Sequence, residues 1–333
     1  MRYLIPLFLL CVFVQSCAVR HSPPPPAQSP AAAYLDEFFT VVSRLALDHE
    51  RFDWVALRQR ADSLARGATT TSETYPALRD ILGRVNRHSF LMDPGRTERW
   101  QSGGGDEEAA GGIQDISQAT GHVISPEVSY VSVPMVHTGH GPTMQHFADS
   151  LQSLIARLDG PNTTGWVVDL RGNGGGNCWP MLTGLGPILG EGTAGYFMDR
   201  DGRHADSWGY RKGASVQKGR RMVEVSGTPY QLHHPHPRVA VLTDGRTGSS
   251  GEVVTVSFRG RPDTRSFGTA TAGYSTTNFT HYMSDGALLN LTVSVYGDRK
   301  KHAYGKEIVP DVVTEDPLAE AKAWLDAMQQ SGK

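Results

Sequence analysis

Cysteine is scarce in this chain. There are three among 333 residues, Cys11, Cys17 and Cys178. The first two lie in an N-terminal export segment, so Cys178 is left alone and a disulfide framework is excluded. A chain of this length buries a large enough core to fold without crosslinks.

An excess of one charge is also lacking. The 32 lysines and arginines nearly balance the 34 aspartates and glutamates, and the formal net charge at pH 7 is −2. Nucleic-acid binding depends on a basic surface that attracts phosphates, so no nucleic-acid partner is expected.

The longest apolar run is confined to the N-terminus and is short. It extends from Tyr3 to Val14, after Arg2, and Gln15-Ser-Cys17 follows. This length suits a signal peptide over residues 1–17 rather than a permanent membrane span. Its end resembles a bacterial lipobox, which would lipidate Cys17 and anchor the protein to a membrane; simple signal cleavage is the alternative. Both place the protein in the cell envelope.

Two segments separate the export signal from the main domain. Residues 18–32 are rich in proline and predict a semi-rigid linker. Residues 33–86 predict a helical subdomain, because apolar residues recur at helical spacing over Ala33–Glu50 and two further helices start near Asp53 and Thr71.

The remaining residues, 87–333, alternate strand and helix patterns and predict an α/β core. Cap-like insertions are expected near 93–125 and 196–236, with hairpins in the second and a loop over 101–112. Strands are predicted near His88–Met92, Val128–Val136, Gly165–Leu170, Arg238–Leu242, Thr264–Gly268 and Ala287–Tyr296, and helices over Thr143–Leu158, Trp179–Leu189, Ser249–Phe258 and Leu318–Met328.

Two glycine-rich turns carry the chemistry. Each follows an apolar strand and precedes a helix: Asp169-Leu-Arg-Gly-Asn-Gly-Gly-Gly176 and Thr247-Gly-Ser-Ser-Gly-Glu252. Open α/β sheets place their sites at the carboxyl ends of strands. The first turn offers glycine amides to an anion. The second places two hydroxyls at a helix start, where free amides favour negative charge.

These motifs resemble those of the tail-specific (C-terminal processing) serine protease family. Gly268-Thr-Ala-Thr-Ala-Gly273, Asp285-Gly286 and Ile308-Val-Pro-Asp311 follow in the family order. The resemblance implies a crotonase/ClpP-like core with ββα units and a mixed sheet, and Ser249 as nucleophile. The spacing from His88 to Tyr130 leaves no room for the PDZ module of better-known members.

One departure concerns the catalytic base. Better-known members place a Lys at the position that here reads Gly273-Tyr-Ser275, and no Lys lies between Lys218 and Lys300. A subgroup typified by the nisin-resistance protease uses a His in a His-Ser-Phe run, which implies His88. The run from Gly176 to Met181 resembles that subgroup's substrate-binding wall, which implies Asn177, Cys178 and Trp179.

A neutral imidazole can take the proton of a serine hydroxyl near pH 7. Ser249, with His88 as general base, would attack a peptide carbonyl, and the N–H of Ser250 with that of Gly175 or Gly176 would bind the oxyanion. The plainer interpretation of Ser249 is a helix N-cap. Glu252 lies one turn beyond it and would orient His88, bind a substrate amine or complement the helix dipole.

Several other residues that could suggest chemistry are expected to have structural or surface roles. Asp169 and Arg171 are expected to form a buried structural pair. Nothing near Cys178 favours a reactive thiolate, apart from a helix start. His137, His140 and His146, and the cluster His233-His-Pro-His236, lack the pattern of a zinc site and predict surface histidines. No metal, nucleotide or other cofactor is implied.

The sequence therefore predicts an exported serine peptidase that cleaves near the C-terminus of an extended peptide or protein. A non-catalytic module that binds peptides or apolar ligands on the same fold is the alternative, because fold alone does not determine function. A metallohydrolase built on the histidine clusters is a third possibility.

Overall fold

The structure, a computed structural model, describes residues 28–101, 117–137, 141–199 and 201–330. The predicted signal peptide with Cys17, residues 18–27 of the linker, His140 and nearly all of the predicted 101–112 loop lie outside these ranges. Across the described ranges, no helix combines the length and hydropathy needed to cross a bilayer.

The helices of the described chain agree closely with the predicted ones, apart from α4, which the sequence analysis missed. In chain order they are α1 Pro30–Leu45, α2 Trp54–Leu64, α3 Tyr75–Val85, α4 Pro94–Gln101, α5 Gly141–Leu158, α6 Cys178–Gly184, α7 Gly186–Leu189, α8 Ser250–Phe258 and α9 Pro317–Gln330. Asp53 caps α2 by accepting a hydrogen bond from Ala56 N at 2.9 Å. The helix predicted over Trp179–Leu189 is two short helices, with Pro187 in the first turn of the second.

The strands form two sheets. In chain order they are β1 Phe90–Met92, β2 Thr120–Ser125, β3 Val128–Ser132, β4 Gly165–Asp169, β5 Gly192–Met198, β6 His204–Arg211, β7 Ala214–Gln217, β8 Arg220–Glu224, β9 Arg238–Thr243, β10 Thr264–Gly268, β11 Thr276–Tyr282, β12 Leu288–Asp298 and β13 Val312–Val313. The predicted α/β class with a mixed sheet is confirmed.

The first sheet is mixed and has the order β13–β10–β9–β4–β3–β2. Its strands pair in parallel except β2 and β3, which form an antiparallel pair. Strand β4 lies directly beside β9, with Asp169 opposite Leu242. Because the two strands run in the same direction, the glycine-rich turns that follow them meet at one edge of the sheet.

The second sheet is antiparallel and has the order β1–β12–β5–β6–β7–β8, with β11 on the other edge of β12. Its strands β5 to β8 contain the predicted hairpin region. Helix α8 contacts β5 and β12 of this sheet and β9 of the first, and all nine of its residues are buried. The helix that starts after Ser249 therefore lies in the core.

Strand β11 was not predicted. Its sequence, Thr-Thr-Asn-Phe-Thr-His-Tyr, is mostly polar, and its residues alternate poorly between buried and exposed. In the described chain it pairs with β12 alone, so its outer edge lies at the margin of the sheet and needs little apolar surface. Hydrophobic alternation, the main sequence signal for strands, is therefore weak here.

Candidate active site

Asn173 connects the two turns at the edge of the mixed sheet. Its backbone oxygen accepts a hydrogen bond from Gly248 N at 2.9 Å, and its fully buried side chain donates to Val133 O at 3.0 Å. A Cβ on Gly251 would lie 2.3 Å from Asn173 O. The turns therefore pack backbone against backbone, and the glycine of the second turn allows that approach.

Ser249 occupies a backbone conformation that side-chain-bearing residues rarely adopt. Its φ is 49° and its ψ is −113°, and α8 begins at the next residue. Half-buried, it lies beside Gly175, on which a Cβ would be 2.9 Å from Ser249 Cβ. Such strained conformations concentrate at functional sites.

Glu252 holds this conformation in place. Its Oε2 accepts a hydrogen bond from Ser249 N at 2.7 Å, and its Oε1 accepts from Thr271 Oγ1 at 2.6 Å and from Gly273 N at 3.0 Å. Complete burial raises the pKa of the carboxyl to about 7, against the opposing effect of these hydrogen bonds. The side chain thus joins the Ser249 turn to the 271–273 loop.

The glycines of the first turn are required by close contacts. Gly175 and Gly176 have φ values of 123° and 88°, and a Cβ on Gly176 would lie 2.2 Å from Val136 O. The Ser250 hydroxyl donates to Gly176 O at 2.6 Å and so fastens the turn to the start of α8. Gly175 N donates to Asn173 Oδ1 at 3.1 Å. Among the described hydrogen bonds, none uses Gly176 N.

His88 lies between α3 and β1, against the loop that leads into β11. Its Nδ1 is 2.7 Å from Thr276 Oγ1, and its ring centroid is 5.0 Å from that of Tyr274. The Tyr274 ring also reaches within 3.6 Å of the position that a Cβ on Gly248 would take. Burial lowers the pKa of the His88 imidazole to about 4, and the neighbouring Arg87 guanidinium contributes to the lowering.

The predicted substrate wall has mixed exposure. Asn177 caps α6 by accepting from Trp179 N at 3.1 Å, and Trp179 packs partly buried against the core. Cys178 is 8% exposed, and burial raises the pKa of its thiol to about 12. The thiol therefore stays protonated at neutral pH, which disfavours a cysteine nucleophile.

The Asp169–Arg171 pair is confirmed as an ion pair. Arg171 Nη2 lies 2.6 Å from Asp169 Oδ2, which also accepts a hydrogen bond from Tyr130 Oη at 2.6 Å. The Asp169 carboxylate is buried, and the Arg171 side chain is 35% exposed. The pair lies where β4 ends and the first glycine-rich turn begins.

The histidine clusters do not assemble a metal site in the described part of the chain, where no group of three or more His, Cys, Asp or Glu side chains is placed to hold an ion. His233 Nδ1 instead lies 3.0 Å from Asp159 Oδ2, and His234 Nε2 lies 2.8 Å from Pro161 O.

Comparison with known proteins identifies the family. The model of Peptidase family S41 matches residues 127–314, more than half of the chain, and covers both turns. The chain belongs to peptidase family S41. It is accordingly a protease of the tail-specific type, and its substrates are peptides or proteins.

Relatives extend the likeness beyond the matched region. The chain is 27% identical over 292 residues to the nisin-resistance protein of Lactococcus lactis subsp. lactis, covering 85% of this chain and 83% of that protein. A lipoprotein from Streptococcus agalactiae superimposes with a TM-score of 0.72 at 24% identity over 97% of this chain and 100% of its own. The photosystem II D1 C-terminal processing protease gives 0.57 at 16% identity over 88% and 94%. The two structures show that the fold is that of S41 peptidases.

Several residues of the site were missed by the sequence analysis. Asn173, Thr271 and Gly273 lie inside the family motifs, so the sequence pointed to these segments. It did not predict the hydrogen bonds that these residues make. Tyr274 and Thr276 lie just after the Gly268–Gly273 motif. No sequence pattern linked them to His88, which is 188 residues from Thr276 in the chain.

Proposed function

We propose that this S41 peptidase is a serine enzyme in which Ser249 is the nucleophile and His88 the general base. The observation that carries the proposal is the strained turn at Ser249, held by a buried carboxylate on its amide and facing the Gly175–Gly176 turn. Ser249 is also the N-cap of α8, with Glu252 as its capping-box partner. An N-cap residue ordinarily has extended backbone angles, so capping does not account for the positive φ, whereas a nucleophile presented on a tight turn does.

The oxyanion would be bound by two amides, those of Ser250 and Gly176. Ser250 is the first residue of α8, so its N–H has no intrahelical acceptor. Gly176 is exposed and its amide is not used in the described hydrogen bonds, whereas Gly175 N is engaged by Asn173. These contacts favour Gly176 over Gly175. One such donor contributes about 3 kcal/mol to transition-state binding.

His88 is the base that the surroundings of Ser249 support. No hydrogen bond joins its ring to Ser249 in the described chain. Both residues are nevertheless next to the Tyr274 loop, His88 through the ring contact and Ser249 through its neighbour Gly248. Catalytic hydrogen bonds of unliganded enzymes are often long and shorten when substrate binds.

We further propose that the substrate is an extended peptide cleaved near its C-terminus, and that the protein acts in the cell envelope. The peptide would add to a sheet edge beside the wall formed by Asn177 and Trp179. The nisin-resistance relative and the lipoprotein neighbour support the location and a lantibiotic as one substrate to test. Lipidation of Cys17 would provide the anchor.

The dyad is tested by substitution. Ser249→Ala and His88→Ala should each lower peptide hydrolysis by at least about 1000-fold, because each removes a group that takes part in bond formation. His236→Ala, which changes an exposed histidine, should leave turnover unchanged. Circular dichroism checks that each variant is folded.

A fluorophosphonate probe supplies the second measurement, because it reacts with an activated serine hydroxyl. It should label the wild-type protein and fail to label Ser249→Ala. Near-normal turnover of folded His88→Ala would overturn the dyad. An unlabelled, inactive but peptide-binding wild-type protein would instead support the non-catalytic binding module.

A further inference from the structure

The loop from Gly273 to Thr276 encloses the His88 imidazole on two sides. Tyr274 packs against the ring with an interplanar angle of 48°, and Thr276 Oγ1 lies within hydrogen-bonding distance of Nδ1, at 2.7 Å. Thr276 is 3% exposed, so water competes little for this contact.

The backbone around the Thr276 hydroxyl is fixed by further contacts. Thr276 N donates to Tyr274 O at 2.7 Å, and Thr276 pairs with Val295 at the start of β11. Ser275 Oγ donates to Lys306 O at 2.5 Å and accepts from Gly305 N at 2.8 Å. The hydroxyl is thus attached to a rigid strand end.

The backbone of His88 is also held by hydrogen bonds. His88 N donates to Asn86 Oδ1 at 2.9 Å, and Asn278 Nδ2 donates to His88 O at 2.9 Å. With the backbone held, the ring orientation depends on the Nδ1 contact and on the Tyr274 face.

The usual orienting group of a catalytic histidine is a carboxylate, which accepts the Nδ1 proton. Within the described chain the ring hydrogen-bonds to Thr276 and to no carboxylate. Glu252 is engaged by Ser249, Thr271 and Gly273. Glu307 faces the Arg87 guanidinium at 3.8 Å.

We propose that Thr276 is the positioning residue of His88: its hydroxyl accepts the Nδ1 proton and so leaves Nε2 free to act as the base. The proposal rests on the proposed Ser249–His88 dyad and adds the residue that keeps the His88 ring in the tautomer and orientation needed for a base. The stretch that supplies the Lys base in better-known relatives here orients a base supplied from elsewhere in the chain.

The proton balance of the step is simple. The Ser249 Oγ–H proton passes to His88 Nε2 while Oγ bonds to the peptide carbonyl carbon. The imidazolium then gives that proton to the departing amine nitrogen. Throughout, Nδ1–H donates to Thr276 Oγ1, which stays neutral. A hydroxyl stabilises the imidazolium less than a carboxylate would, so the ring returns its proton readily.

Thr276→Val tests the role, because valine keeps the shape and removes the hydroxyl. We expect kcat to fall about 10- to 100-fold, the range for loss of a hydrogen bond to a charged group, with KM within about threefold of wild type. Thr276→Ser should restore kcat to within about threefold. Thr280→Val, on the exposed part of the same strand, should behave as wild type.

A ¹⁵N NMR measurement of the imidazole gives a readout that loss of stability does not mimic. The His88 signals are assigned by their absence from His88→Ala. In the wild-type protein at neutral pH, Nδ1 should carry the proton and Nε2 should be unprotonated, and in folded Thr276→Val this preference should be lost. A wild-type ring protonated at Nε2, or full turnover of Thr276→Val, overturns the proposal.

If the proposed dyad is wrong, the variants give a different pattern of turnover. If His88→Ala keeps near-normal turnover, the proposed function fails whichever ring nitrogen is protonated. If His88→Ala is inactive and Thr276→Val is fully active, the dyad stands and the positioning role of Thr276 is wrong.

Discussion

At the scale of single residues, the site combines one strained backbone position with two titratable groups whose pKa values are shifted. Ser249 has a positive φ, Glu252 is a buried carboxyl with a pKa raised to about 7, and His88 is an imidazole with a pKa lowered to about 4. The positive φ of Ser249 costs on the order of 1–3 kcal/mol, which the surrounding packing must offset. All three lie within one connected set of contacts, which is typical of functional sites.

The lowered pKa of His88 predicts how activity depends on pH. In the proposed mechanism the neutral imidazole is the base. It is the majority form at any pH above its pKa, so kcat/KM should be retained down to about pH 5 and fall as the pH drops through about 4. An unperturbed histidine would give this fall near pH 6.5. The measurement is a kcat/KM profile with a peptide substrate, with circular dichroism at each pH.

Two other outcomes are informative. An acid limb near 6.5 would contradict the burial of the ring in the working enzyme. A limb near 7 that disappears in Glu252→Gln would assign the titration to Glu252, whose carboxylate form is the acceptor for Ser249 N.

At the scale of elements, the helices α1 and α3 are fastened to the turn before β12. Asp285 Oδ1 accepts from Tyr34 Oη at 2.8 Å and from Ala287 N at 3.0 Å, and Oδ2 accepts from Tyr75 Oη. Burial, together with these bonds, raises the pKa values of both phenols, and the bonds lower the pKa of the Asp285 carboxyl against the opposing effect of its burial. The Asp285-Gly286 motif thus joins the helices to the antiparallel sheet.

Asp285→Ala should destabilise the protein by about 2–4 kcal/mol, because it leaves two partly buried phenols without their acceptor. Urea unfolding followed by circular dichroism measures the loss. Asp201→Ala, at an exposed turn, is the control and should stay within about 0.5 kcal/mol of wild type. Equal stability of the two variants would contradict the anchoring role.

The Asp285 contact also has a pH dependence with a definite sign. Because the folded pKa is below the unfolded one, the contribution is present above the ordinary carboxyl pKa of about 4 and is lost as the pH falls through the lower, folded value.

At the scale of the whole molecule, the N-terminal helices and the antiparallel sheet share one core. Phe38, Leu78 and Ile81 of the helices pack in the same buried cluster as Leu289 and Leu291 of β12. The segment predicted as a helical subdomain is therefore a layer over that sheet, and His88 follows directly from it. Movement of these helices would displace His88, the proposed base.

The proposed membrane anchor also belongs to this scale. In a bacterial host, wild-type protein should incorporate labelled palmitate and fractionate with membranes, because a diacylated N-terminus binds bilayers stably. Cys17→Ser should lose the label and become soluble. Palmitate labelling of Cys17→Ser, or an unlabelled soluble wild type, would favour simple signal cleavage.

Much of the fold follows from local sequence. Helical spacing of apolar residues predicts α1, α5 and α9, and short continuous apolar runs predict the buried strands β4 and β9. The spacing of the apolar residues indicates which type of element can bury them. The strand–glycine turn–helix order also placed the two turns at one sheet edge. The family motifs then predicted Ser249 as the nucleophile, and the absence of a nearby Lys together with the His88-Ser-Phe run predicted His88 as the base.

Tertiary structure decided what those local signals do not contain. The polar strand β11 forms because β12 offers it a hydrogen-bonding edge, and its first residue reaches a histidine 188 residues away in the chain. Orienting His88, binding a substrate amine and complementing the helix dipole were the roles expected for Glu252. Its oxygens accept hydrogen bonds from Ser249 N, Thr271 and Gly273 N. The Ser249 N contact belongs to a capping box, whose S-x-x-E pattern is present in the sequence. Thr271 and Gly273 lie 19 and 21 residues from Glu252 and leave no local pattern, so these two partners emerge only when the chain is folded.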